Sequence, residues 1–91
     1  MSTISAYVCD EVEEARTERP GSSWVQTIVN VHVTGTPLRE EAVAEAWWLT
    51  SREADGAVEY GPYLVEVQGP GDGLDPDMWL VSHRMQITRY W

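Results

Sequence analysis

Apolar and polar residues repeat along this chain with two different periods, and the change of period comes early. In residues 3–19 the apolar positions recur every three or four residues, which predicts one amphipathic helix. The pair Pro20-Gly21 would end that helix. An alternative interpretation keeps Thr3–Cys9 as a strand and begins the helix only at Asp10.

From Trp24 onward the period is two, which predicts strands. The segment Trp24–Thr34 is β-branched, and its alternation places on one face Val25, Val29, Val31 and Val33. The segment Met78–Trp91 predicts a long final strand, whose alternation groups on one face Trp79, Val81, His83, Met85 and Ile87.

The middle of the chain predicts two more strands joined by a hairpin. Glu41–Ala54 is rich in helix formers, but small and large residues alternate along it, and this favours a strand. Asp55-Gly56 suits the hairpin turn. Val58–Gln68 returns as a strand with a bulge or edge position at Gly61-Pro62. Residues 69–77 form a polar loop.

These elements predict one α+β domain over residues 1–91. A short helical N-terminal segment, residues 1–20, packs on a curved four-stranded antiparallel meander sheet, residues 24–91. One short helix covers only part of one sheet face, and five Trp residues cannot all be buried in one thin layer. We therefore expect a homodimer, a larger assembly or a protein partner to cover a Trp-rich sheet face.

Charge restricts the partners further. Six Arg residues oppose fifteen acidic residues, so the formal net charge is −9, which disfavours binding to nucleic acid or to an anionic membrane. Nothing marks the chain for secretion or for crossing a membrane, so we expect a cytoplasmic protein. A single cysteine, Cys9, excludes an internal disulfide. The near absence of Lys, Asn and Phe suggests a bacterial or phage source.

Two histidines are the candidates for catalysis. His83 lies among apolar residues of the last strand, and a nearby carboxylate such as Glu45 or Glu66 could tune it as a general acid or base. His32 is the second candidate. Either ring could instead be a hydrogen-bonded core or interface residue. No residue spacing predicts a metal site, and no motif indicates a cofactor.

Aromatic residues form a second candidate group. They could line an apolar ligand cavity, or they could form a core or a subunit interface. The residues predicted to bind a ligand or to lie in an interface are Asn30, Trp47, Trp48, Tyr60, Tyr63, Trp79 and Met85.

The sheet region, residues 24–91, resembles the nuclear transport factor 2-like superfamily, in particular its SnoaL-like members and the small subunits of ring-hydroxylating dioxygenases. Val29–Gly35 resembles the "TNVxVxG" strand of the family, and Ala42–Leu49 resembles its alternating alanine strand. Gly61-Pro62-Tyr63 resembles "GxY" on the next strand. Trp79–Arg84 resembles the closing "WRIxxR" strand, with Trp91 near the usual terminal Trp.

The resemblance implies a cone-like fold with reduced helical cover, because family members carry further helices ahead of this region. Two positions in the family often hold acid–base residues. One of them corresponds to Gln26 or Thr27 in this chain, and the other corresponds to Val65. This favours a non-catalytic binding or assembly module. The alternatives are a small SnoaL-like enzyme or carrier of cyclase, isomerase or hydrolase type, with an apolar pocket shared between subunits, and an acidic phage-type inhibitor.

Overall fold

A computed structural model describes residues 3–54, 56–71 and 77–91. In these ranges the chain forms four strands and one helix, and the class is α+β as predicted. The elements in chain order are β1 (Ser5–Arg19), β2 (Ser22–Thr34), α1 (Arg39–Glu53), β3 (Ala57–Gln68) and β4 (Met78–Tyr90). The strands form one open antiparallel sheet in the order β1-β2-β4-β3. The predicted meander is wrong, because β4 lies between β2 and β3.

The predicted N-terminal helix is a strand. Residues 5–19 form β1, and a tight turn at Pro20-Gly21 returns the chain so that Arg19 faces Ser22. Gly21 has a φ of 84°, which glycine adopts without strain. Two register shifts, next to Cys9 and Glu14, interrupt the alternation of β1. These bulges give the apolar residues a spacing that imitates a helix. The alternative interpretation was correct only for its strand, Thr3–Cys9.

The predicted strand over Glu41–Ala54 is a helix. Its buried residues, Ala42, Ala46 and Thr50, are four positions apart and lie on one helical face. Alanine and glutamate favour helix strongly, and this preference outweighs a weak alternation. The helix begins after Thr36, whose hydroxyl accepts the Leu38 N–H at 3.1 Å and donates to the Glu41 carboxylate at 2.7 Å.

The predictions for β2 and β4 are confirmed, including their faces. The predicted valines of β2 and the predicted residues of β4 are all buried. Strand register pairs Val31 with Val81 and Val33 with Trp79, so the two sets form one continuous face. Helix α1 packs on this face, and Ala42 and Ala46 complete the core.

The predicted bulge in β3 is also confirmed. Pairing passes from Tyr60–Gln86 directly to Tyr63–Arg84, which leaves Gly61 and Pro62 unpaired with β4. Gly61 has a φ of 92°, and a Cβ atom there would lie 2.6 Å from the Arg84 carbonyl oxygen, so only glycine fits.

The two connections that flank β3 fall partly outside the described residues. Asp55 of the predicted hairpin turn is not among them, and neither are residues 72–76 of the predicted polar loop. Because α1 precedes β3, Asp55-Gly56 does not join two strands, so the predicted hairpin is wrong.

Helix α1 covers one side of the sheet and leaves the other side bare in the described parts of the chain. The molecule is only 17 Å thick in its shortest dimension, which corresponds to one sheet and one helix layer. No described helix is both long and apolar enough to span a membrane. The arrangement therefore presents a wide sheet surface for contacts.

Candidate functional site

The surface opposite α1, which we call the open face, is built by all four strands and is left uncovered by the described residues. Register places the even-numbered residues of β2 and β4 on it, together with their neighbours on β1 and β3. Its members include Tyr7, Asp10, Val12, Trp24, Gln26, Ile28, Asn30, His32, Tyr60, Tyr63, Glu66, Leu80, Ser82, Arg84, Gln86 and Thr88.

His83, the first catalytic candidate, does not belong to the open face. It is 1% exposed, lies on the α1 side, and has Val29 and Leu64 as its cross-strand neighbours. Its Nδ1 has no hydrogen-bond partner among the described residues. Burial lowers the pKa of this imidazole, because the charged form loses its solvation. The structure therefore places His83 in the core.

Neither carboxylate predicted to tune His83 lies beside it. Glu45 is exposed on α1, and it lines a shallow hollow between the helix and β1. Glu66 pairs with Ser82 on the open face, the opposite side of the sheet from His83. The proposed His–carboxylate pair is thus not assembled in the described structure.

His32, the second candidate, lies on the open face with Tyr7. The Tyr7 hydroxyl and His32 Nδ1 are 2.8 Å apart, and the two rings meet edge to face with centroids 5.2 Å apart. Because His32 and His83 lie on opposite faces of the sheet, they do not share one site.

Polar side chains form hydrogen bonds between the strands of the open face. Ser82 donates its hydroxyl hydrogen to the Asn30 side-chain oxygen, which joins β4 to β2. Cys9 donates to the Asn30 carbonyl oxygen at 3.3 Å. Burial, followed by the nearby charge of Asp10, raises the pKa of the Cys9 thiol. The predicted residue Asn30 is thus a link within the sheet.

An ion pair, unsuspected from the sequence, crosses the open face. Arg84 Nε and Nη2 donate to the two carboxylate oxygens of Glu14 at 2.7 and 3.0 Å. Hydrogen bonding and the opposite charge of Glu14 raise the pKa of Arg84. Seventy positions separate the partners, and Glu14 reaches Arg84 from the bulge in β1. No local sequence pattern could have indicated this pair.

The predicted aromatic group is divided among three places. Tyr60 and Tyr63 lie on the open face, where they border a hollow of about 270 Å³ with Gln26, Arg84, Met85 and Gln86. Trp79 is in the core and donates its indole N–H to the Thr36 carbonyl oxygen at 2.9 Å. Met85 is 2% exposed, and its side chain belongs to the core.

The remaining predicted tryptophans lie on the outer side of α1. Trp47 and Trp48 are exposed, and their rings meet edge to face with centroids 6.1 Å apart. On the open face, register places Trp24 alone of the five tryptophans. The exposed aromatic residues of that face are tyrosines, so the expectation of a Trp-rich sheet face is wrong.

Charge is unevenly distributed over the molecule. The open face carries the carboxylates of Asp10, Glu14 and Glu66 and the guanidinium groups of Arg19 and Arg84. These five groups sum to a formal charge of −1, within a chain of net charge −9. Acidic groups gather instead on the α1 side, where a hollow of about 210 Å³ is lined by several residues that include Glu11, Glu13, Glu53 and Arg89.

The described residues contain no group of three or more His, Cys, Asp or Glu side chains placed to hold a metal ion. Comparisons with family models, curated proteins and solved structures found no match to this chain. Membership of the SnoaL-like group therefore stays a prediction. One segment that carried the resemblance, Ala42–Leu49, is helical here and does not form the expected strand.

Proposed function

We propose that the protein is a non-catalytic binding module that docks a protein surface on its open face. The observation that carries this proposal is the open face itself: four long strands that no described residue covers, with few charges and several exposed aromatic rings. A surface of this kind gains free energy when a partner removes it from water.

The size of the open face supports the proposal. A strand of 12 residues at about 3.3 Å per residue is about 40 Å long, and four strands at about 4.8 Å span about 19 Å. The shortest strand, β3, has 12 residues. The face thus measures about 800 Å², which is the area that each partner contributes to a typical stable protein–protein interface.

The composition of the open face supports it as well. Interfaces are enriched in Tyr, Trp and Arg, and their centres are depleted in Asp and Glu. The two central strands, β2 and β4, contribute amides, hydroxyls, Trp24 and Ile28, and their only charged side chain on this face is Arg84. The other carboxylates placed on the face, Asp10 and Glu66, lie on the outer strands β1 and β3.

The positions of the histidines favour a non-catalytic role. A general base must come within hydrogen-bond reach of its substrate. His83 lies in the core with apolar cross-strand neighbours, and the Nδ1 of His32 is already within hydrogen-bond distance of Tyr7. The small-enzyme alternative stays a prediction, and no contact in the described residues favours it.

Site-specific photo-crosslinking tests the proposal. A photoreactive phenylalanine analogue replaces Tyr63 on the open face, and in a matched control it replaces Trp48 on the outer side of α1. Both side chains are about equally exposed, at 58% and 62%. We expect irradiation of cells that produce the protein to give one discrete protein adduct at position 63 and none at position 48.

Two results would contradict the proposal. One is the absence of an adduct at position 63, and the other is equal crosslinking at both positions. Mass spectrometry of the adduct identifies the crosslinked peptide and hence the protein that occupies the face.

A further inference from the structure

We propose that the occupant of the open face is a second copy of this chain, packed sheet against sheet about a two-fold axis. This inference rests on the proposed function and names its partner. The product would be a four-layer particle, with the two sheets inside and the two α1 helices outside. Aligned sheets pack about 10 Å apart, so the side chains of the two open faces would interdigitate.

The distribution of charge identifies a second copy as the partner. Two chains of net charge −9 repel one another, and close contact between them is least unfavourable where carboxylates are sparse. The charged groups that strand pairing and hydrogen bonds place on the open face sum to −1, and the central one, Arg84, is neutralised by Glu14 of the same chain. A basic partner would fit the acidic α1 side better than this nearly neutral face.

The chemistry of the central strands is self-complementary. In a two-fold interface the same patch meets itself, so its groups must be able to bond to their own kind. Gln26 and Gln86 are paired across β2 and β4, and each amide both donates and accepts hydrogen bonds. The aromatic and aliphatic groups beside them, Trp24 and Ile28, pack against like groups without any charge requirement.

The available area is sufficient for a stable dimer. Two open faces of about 800 Å² each would bury about 1,600 Å² in total, the standard size for specific complexes. Helix α1 lies on the other side of the sheet, so the contact needs no rearrangement of the described core.

Sedimentation equilibrium tests the inference on the purified 91-residue chain, at concentrations from about 1 μM to about 100 μM. We expect a mass of twice the 10.3 kDa of one chain. Raising the salt concentration should strengthen the association, because salt screens the repulsion between the two acidic copies. Binding to a basic partner would instead weaken as the salt concentration rises.

Two double variants locate the contact. Gln26→Glu with Gln86→Glu adds two carboxylates at the centre of the open face, and we expect the dissociation constant to rise by about 100-fold or more. Ala44→Glu with Trp48→Glu adds the same charge on the exposed side of α1 and should leave the constant within about threefold. The single variant Tyr63→Glu adds a charge to the open face at a side chain that is 58% exposed, so the core is not disturbed. It should also raise the dissociation constant.

A chain that stays monomeric at about 100 μM would overturn the inference. So would a dimer whose dissociation constant neither open-face variant changes. The crosslinking experiment separates this failure from failure of the proposed function. A position-63 adduct with a different protein refutes the second copy but leaves the binding function in place. The absence of any adduct at that position refutes both.

Discussion

Strand β2 presents two different chemistries to its two sides, one residue apart. Val29 is fully buried beneath α1, whereas its neighbour Ile28 points to the open face and is only half-buried. The backbone and its hydrogen bonds are shared by both residues, so the difference lies in what covers each side. The covered side is a buried, mostly apolar core, and the uncovered side is a mixed aromatic and polar surface. The covered side therefore stabilises the chain, whereas the described residues leave the other side open to solvent.

The two sides of β2 should respond very differently to the same added charge. Val29→Asp would bury a carboxylate with no partner. We expect the free energy of unfolding to fall by more than about 4 kcal/mol, which is enough to unfold the chain. Ile28→Asp should leave the chain folded, with a loss of about 1 to 2 kcal/mol, because that side is open to water.

Circular dichroism during urea unfolding measures both variants, under dilute conditions that keep the protein monomeric. If the two variants lost equal stability, the two sides of β2 would not differ as described.

A smaller effect is expected when a buried tryptophan beneath α1 and an exposed tryptophan on α1 are each replaced. Trp79→Phe removes the indole N–H that donates to Thr36 at 2.9 Å and leaves a small void in the core. We expect a loss of about 2 kcal/mol in the free energy of unfolding. Trp48→Phe, on the exposed side of the helix, is the matched control and should change stability by less than about 0.5 kcal/mol. Equal losses would contradict the placement of Trp79 in the core.

The covered side also carries a pH dependence. Burial lowers the pKa of His83 in the folded state below its ordinary value near 6.5. Below about pH 6.5 the unfolded chain therefore binds more protons than the folded chain, so stability is full above that pH and falls as the pH falls. At pH 5 the loss due to His83 is at most about 2 kcal/mol relative to pH 7.

His83→Gln should remove this contribution, whatever its own cost at neutral pH. The measurement compares urea unfolding of the wild type and of the variant at pH 7 and at pH 5. Identical changes with pH in the two proteins would show that His83 does not titrate between folded and unfolded states as expected.

The smallest expected effect is on the open face. Tyr7→Phe removes the hydroxyl that meets His32 Nδ1 at 2.8 Å, but Tyr7 is 51% exposed, so water can replace that contact. We expect the free energy of unfolding of the monomer, measured by thermal denaturation, to fall by less than about 1 kcal/mol. A larger loss would mean that the open face contributes to the stability of the single chain.

The strands that lie at the centre of the sheet were predictable from sequence, and the elements at its margins were not. In β2 and β4 every second residue is buried, so the period-two pattern is clear. In β1 two bulges disturb that pattern, and the strand imitates a helix. In α1 a weak alternation competes with the strong helix preference of alanine and glutamate, and the structure follows the helix preference.

The candidate site was predictable only in part, for a related reason. Alternation shows which residues of one strand share a face, but it does not show which face a helix will cover. Tyr60, Tyr63 and Asn30 lie on the open face, whereas Trp79, predicted in the same group, lies beneath α1, as does the catalytic candidate His83.

Isotope-filtered NMR on mixed labelled and unlabelled chains shows whether a second copy covers the open face. We predict intermolecular contacts between the methyl groups of Ile28 or Leu80 in one copy and the rings of Trp24 or Tyr63 in the other. Intermolecular contacts confined to Trp47 and Trp48 on α1, or none at a concentration where the chain is dimeric, would contradict the account.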